Sequence, residues 1–160
     1  MAGATRGYRS LVVWRKALDL ADRMYDVTEP WPARETYGLS SQVRRAAASV
    51  PANIAEGQGR RSPGDFARFL GIAYGSVCEL ETYLYLAERR NMLDRETLEE
   101  ILADSDEVAR LIRGLNKTIR SQGAIREDHP VYDASSEDET IADMALPASR
   151  SHVSRLTSHV

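Results

Sequence analysis

With 160 residues, 42% of them hydrophobic and 28% charged, and a formal net charge of −3, the chain fits one globular domain able to bury a core of its own. No apolar run approaches the roughly 18 residues of a membrane span, and MAGATRGYRS at the N-terminus lacks the apolar stretch of a signal peptide, which predicts a cytoplasmic location. Cys78 is the only cysteine, so an intrachain disulfide and a cysteine-based zinc cluster are excluded, and its place within a helical pattern predicts a small buried hydrophobe.

Residues 1–9 read as a flexible N-terminus. The first helical segment is predicted over about 11–27, where Trp14, Leu18, Ala21 and Tyr25 recur at 4-3-4 spacing and form the expected core stripe. Pro30 and Pro32 then exclude helix from the following loop. A second segment covers about 37–60. The third opens at Ser62-Pro63-Gly64-Asp65, a capping serine, a proline at the first helical position and an acid three residues after the cap. It runs to about residue 90, a length of about 42 Å. Phe66, Leu70, Ala73, Val77, Leu80, Leu84 and Ala87 give it an unbroken 4-3 seam. The fourth segment, about 94–121, starts at the natural cap Asp94 and repeats the rhythm through Leu98, Ile101, Ser105, Val108, Ile112, Leu115 and Ile119. No comparable strand alternation occurs, so the pattern predicts an all-α, antiparallel up-down-up-down four-helix bundle over residues 10–121. Residues 122–160 are acidic and serine-rich and are predicted to be disordered, with ETIADMAL as a candidate short docking helix.

Charge is unevenly divided. Residues 1–121 carry 18 Arg/Lys against 17 Asp/Glu, and residues 122–160 carry 3 against 7. Arginine supplies every basic residue except Lys16 and Lys117, and its planar fork suits bidentate pairing with phosphates and carboxylates.

The second segment is unusual. Arg45, Ser49, Asn53, Glu56 and Arg60 fall within about 80° of arc, opposite Val43, Val50 and Ile54. A third strip, Ala48, Pro51, Ala52 and Ala55, is made of small residues and should also be covered, with Pro51 bending the helix. Ser and Asn compete for backbone hydrogen bonds within helices, so this stripe reads as more than a solvated face. The third segment carries Phe69, Ile72, Ser76, Glu79 and Tyr83 beside its seam, and a carboxylate in that company calls for a partner, for which Arg45 is the candidate. Arg45, Ser49, Asn53, Glu56, Ser76 and Glu79 are therefore the predicted polar network or oligomer interface. Ala67, Gly71 and Gly75 form a further small-residue ridge, and so much water-avoiding circumference predicts self-association.

These stretches, YRSLVVWRKALDLADRMYD, YGLSSQVRRAAASVPANIAEGQGRR and FARFLGIAYGSVCELETYLYLAERRNML, resemble the four-helix bundle family named for open reading frames in 23S rRNA intervening sequences. That family includes the accessory variability proteins of diversity-generating retroelements. The resemblance covers about residues 8–120 and rests on Gln42, Arg45, Ser49, the run Asn53 to Gly57, Arg60, Phe69-Leu70, Gly75-Ser76 and Glu79-Leu80. It implies a homo-oligomeric ring, commonly a pentamer, without known enzymatic activity. In retroelement members it implies binding to nucleic acid and to a reverse transcriptase.

Catalysis finds little support in the residues themselves. All three histidines, His129, His152 and His159, lie in the tail, leaving the bundle without an imidazole base or a Glu-x-x-His metal pair. Gly57-Gln58-Gly59 lacks the lysine and strand of a phosphate loop. No catalytic residue, metal or cofactor is expected. Arg44, Arg60, Arg61 and Arg68, with Arg89 and Arg90 at the end of the third segment, are the candidate nucleic-acid ligands, and a ring would repeat them around one face. The plainer reading of these arginines is surface ion pairing with Glu35, Asp65 or Glu88, and the alternative function is a self-assembling protein-interaction scaffold whose arginines only stabilise subunit contacts.

Overall fold

A computed structural model describes residues 7–60 and 62–122, and the described part of the chain is all α-helical apart from short turns. Four helices follow one another: α1 (Val12–Thr28), α2 (Leu39–Gly59), α3 (Pro63–Arg89) and α4 (Arg95–Gln122). A 3₁₀ turn at Tyr8–Ser10 precedes α1, and there the Tyr8 ring meets Trp14 edge-on at 5.1 Å. The tail and the ETIADMAL segment lie outside the described residues, as does Arg61.

Each helix end has a local cause. Thr28, which closes α1, is buried and returns its hydroxyl to the Met24 carbonyl at 2.7 Å. Pro30 and Pro32 then exclude further turns, and a 3₁₀ turn at Ala33–Glu35 bridges to α2. Helix α2 begins at Leu39 rather than Tyr37, because the Glu35 carboxylate reaches back to accept the Leu39 amide at 3.1 Å and caps the helix there. It continues without interruption through Pro51. Ser62 caps α3 by accepting the Asp65 amide, with Pro63 at the first helical position. Between α3 and α4 the chain turns through Asn91, the one described non-glycine residue with positive φ (54°). The Met92 amide bonds to the Ala87 carbonyl and the Asn91 amide to that of Glu88, both at 2.9 Å, a Schellman closure in which asparagine takes the left-handed position usual for glycine. Asp94 then caps α4 by accepting the Thr97 amide and hydroxyl, both at 2.8 Å. These bonds to the ionised form, the backbone one first, hold its pKa below the usual carboxylate value.

Helix α2 packs on α3, α3 on α4, and α1 on both α2 and α4, while no Cα of α1 lies within 8 Å of one in α3. The core collects Met24 from α1, Val43, Val50 and Ile54 from α2, Leu70, Leu80 and Leu84 from α3, and Leu98, Ile101 and Ile112 from α4. All seven seam residues of α3 are buried. Ser105 is fully buried within the α4 seam and donates its hydroxyl to Glu81 on α3 at 2.6 Å.

Three expectations need correction. The core stripe of α1 is Val13, Ala17, Leu20, Met24 and Thr28; Ala21 is buried beside it, whereas Leu18 and Tyr25 are 45% and 50% exposed. The helix carries two apolar stripes, and the one with the larger residues faces outward. The strip of small residues on α2 is not fully covered by the chain itself, since Ala48 and Ala52 are exposed. Cys78 is exposed rather than buried, because it lies one position beyond the seam residue Val77 on the outer side of α3.

Candidate functional site

The polar stripe of α2 meets α3. Arg45 Nη2 lies 2.6 Å from Glu79 Oε1, and the same guanidinium donates to Gln42 Oε1 through Nε (3.2 Å) and Nη2 (3.1 Å). Glu79 Oε1 also accepts the Tyr83 hydroxyl at 3.1 Å. One turn further along, the Ser49 and Ser76 hydroxyls are 2.9 Å apart. Ser76 also donates to the Ile72 carbonyl at 3.1 Å, and the Asn53 amide donates to the Ser49 carbonyl and hydroxyl at 2.8 and 2.9 Å. Glu56 and Arg60 pair along α2 at 2.6 Å. The Glu56 hydrogen bond, more than its charge, holds the Arg60 pKa above the ordinary arginine value. All six network residues thus find partners inside one chain, and none of the described side chains leaves a buried polar atom without a partner.

Beyond Asn53, the two helices close on one another at Gly57. A Cβ at this position would sit 2.6 Å from Phe69 Cβ and 3.0 Å from Phe66 Cδ2, so only glycine permits the approach. Sequence periodicity places Gly57 at the edge of the apolar side and gives no sign of this role.

The candidate arginines do not form one patch. Arg60 and Arg68 share the Phe69 ring, with guanidinium carbons 5.7 and 4.7 Å from its centroid. Arg89 and Arg90 are exposed at the other end of α3, about 31 Å from Arg68 by helical rise. Arg44 lies over the Tyr25 ring at 5.0 Å and donates to Thr28 Oγ1 at 2.6 Å, so its guanidinium already has partners within the bundle.

A further cationic group escapes the sequence reading. Arg110, Arg113 and Lys117 are exposed along one side of α4, and Arg113 lies over the Tyr74 ring of α3 at 5.6 Å. From residue 109 to 121 the helix contains no acid, whereas its first half is strongly acidic. This order complements the helix dipole. Taken with their cross-helix contacts, residues 7–19, 50–60, 62–75 and 109–121 carry nine Arg/Lys against three Asp/Glu. The other described residues carry seven against fourteen. Averaging over the whole bundle conceals this separation.

Among the described residues no cluster of three or more His, Cys, Asp or Glu could hold a metal, and no helix is long and apolar enough to cross a membrane.

A small bundle of four helices with an internally satisfied polar seam and a cationic surface is the class of protein these features define. The chain belongs to the 23S rRNA-intervening sequence protein family, whose family model matches residues 9–114. It is similar to a crystal structure, at 1.70 Å resolution, of a protein with unknown function from the S23 ribosomal protein family from Bacteroides thetaiotaomicron VPI-5482. The two are 32% identical with a TM-score of 0.62, over 66% of this chain and 96% of that one. No curated protein matches the chain.

Proposed function

We propose that the chain is a non-catalytic, self-associating accessory protein that holds the phosphate backbone of RNA or DNA on the cationic end of an antiparallel bundle. Three sets of cross-helix pairs support the antiparallel order. Lys16 meets Glu107 while Arg23 meets Glu100, Arg45 meets Glu79 while Ser49 meets Ser76, and Glu81 meets Ser105 while Glu88 meets Arg95. In each set the numbers rise on one helix as they fall on the next. The start of α1, the end of α2, the start of α3 and the end of α4 then share one end, and the nine cations share it with them.

That separation of charge is the observation that carries the reading. Exposed ion pairs contribute little to stability, whereas cations gathered with few acids attract a polyanion and release its counterions. Arg60, Arg68, Arg110, Arg113 and Lys117 are the assigned phosphate ligands, with Arg61 beside them in sequence. Arg89 and Arg90 are secondary, since they sit among acids. A homo-oligomeric ring, on the family resemblance a pentamer, would repeat the cationic end in every subunit, and a reverse transcriptase is the protein partner the resemblance proposes. The scaffold alternative draws on Arg44 and Arg45, whose guanidinium groups are engaged within the chain.

Fluorescence anisotropy with a structured RNA and a DNA duplex over a salt series tests the reading. Binding should weaken steeply with salt, and replacing Arg110, Arg113 and Lys117 with Gln should reduce the magnitude of the log–log salt slope by about 2–3. Arg44→Gln should leave it unchanged. No binding at low ionic strength would remove the nucleic-acid reading and leave the scaffold.

A further inference from the structure

Trp14 borders two open grooves. The larger, of about 680 Å³, runs between α1 and α2 and is lined also by Tyr8, Tyr25, Ala52 and Ala55. The smaller, of about 460 Å³, is lined also by Val12, Arg15 and Lys16, which follow the indole around α1. The indole is only partly buried, and its N–H has no hydrogen-bond partner among the described residues. No described guanidinium lies over it, whereas Arg9 lies over the neighbouring Tyr8 ring at 5.8 Å. Cations surround this ring pair without being neutralised. Arg15 donates to the Arg9 and Ser10 carbonyls, each at 3.3 Å, and neither Arg9 nor Arg15 has a carboxylate partner among the described residues. Asp19 borders both grooves and Asp22 the larger one, and these carboxylates also lack a described ion-pair or hydrogen-bond partner.

From this arrangement we infer that Trp14 is a stacking platform for an unpaired nucleobase of a single strand whose phosphates lie on Arg9 and Arg15. The inference rests on the nucleic-acid reading above and names its substrate class. On the antiparallel order the start of α1 belongs to the cationic end, so the indole stands where a polyanion is drawn in. Every base has a π-face, and an accessible indole beside cations accepts any of them. In a duplex each base is paired and stacked between its neighbours, which leaves no face for the platform, whereas a single strand can turn a base out toward it. The two aspartates set the direction of entry. They repel phosphate from the grooves, yet a carboxylate accepts N–H groups from a base edge, such as the N4 amine of cytosine. The base therefore goes in and the backbone stays at the arginine rim.

Fluorescence titrations of the full chain test this. The chain has two tryptophans, and Trp31 is buried, so Trp31→Phe leaves Trp14 as the one reporting indole. A short oligocytidylate, as RNA and as DNA, should quench that signal, and an abasic strand of the same length and charge should not. By anisotropy the base-bearing strand should bind about 5–150-fold more tightly than the abasic one, the range expected for one stacked base. Trp14→Leu should remove that advantage while leaving the abasic strand and a duplex bound as before, and Trp14→Phe, which keeps a ring, should retain most of it. Equal affinity for the two strands, an unquenched indole, or a Trp14→Leu loss of the same size on the duplex overturns the inference and leaves the phosphate reading standing. Failure of all three ligands to bind at low ionic strength overturns the nucleic-acid reading itself. Circular dichroism checks the fold of each variant, and the quenching of Trp14 is measured without altering it.

Discussion

Adding one methyl group at Gly57 and at Gly114 should have opposite effects, although both positions lie inside helices. At Gly114 a new Cβ would find nothing within 4 Å. Gly114→Ala therefore gains only helix propensity, about 0.5–1 kcal/mol. At Gly57 the same gain is set against contacts of 2.6 Å to Phe69 Cβ and 3.0 Å to Phe66 Cδ2. Phe69 Cβ is fixed to the α3 backbone, so relief requires the two helices to separate rather than a side chain to swing aside. Overpacking of this kind costs about 1–3 kcal/mol, which leaves Gly57→Ala about 0–2.5 kcal/mol less stable than wild type and, the propensity gain being common to both, about 1–3 kcal/mol below Gly114→Ala. Urea unfolding followed by circular dichroism resolves a difference of that size in the transition midpoint. Equal midpoints for the two variants, or Gly57→Ala as the more stable, would refute the claim that glycine sets the α2–α3 distance.

Other substitutions probe the caps and the seam. Asp94→Ala should lower the melting temperature more at neutral pH than at about pH 2. The folded pKa of Asp94 is depressed, so its contribution is present above the unfolded value and lost as pH falls through the folded one; an equal loss at both pH values would contradict this. A double-mutant cycle of Ser49→Ala and Ser76→Ala should give a coupling of about 0.5–1 kcal/mol, and additive effects would mean that the 2.9 Å contact is not formed. Asn53→Leu should destabilise the chain by about 1 kcal/mol without changing its assembly size, since its amide serves Ser49 on its own helix; a changed sedimentation coefficient would return Asn53 to the subunit contact.

The four helices and the buried seam of α3 were legible in the sequence because one apolar stripe at 4-3 spacing admits a single inward face. Helix α1 was not, since Trp14, Leu18 and Tyr25 outweigh Ala17 and Leu20 in any reading of apolar spacing, and only packing reveals that the smaller pair faces inward. The partner of Glu79 could be named from composition, because a carboxylate beside Phe, Ile and Tyr demands a cation and Arg45 lay on the facing stripe. Distances between arginines follow from helical rise rather than from grouping in the sequence. Arg44 and Arg60 look like neighbours as parts of two sequence clusters, yet they are 16 positions apart along one helix, about 24 Å. The cationic run Arg110, Arg113 and Lys117 was visible in principle, as thirteen consecutive residues without an acid. Summing charge over the bundle hid it behind the acids of the preceding half-helix.

On the antiparallel order proposed above, the surplus of cations at one end and of acids at the other makes the bundle an electric dipole along its helices. Near a polyanion it feels a torque as well as a pull, so it turns before it touches and arrives pole first. In the proposed assembly, subunits held side by side would add their dipoles in parallel, with the acidic poles pointing away from a bound strand.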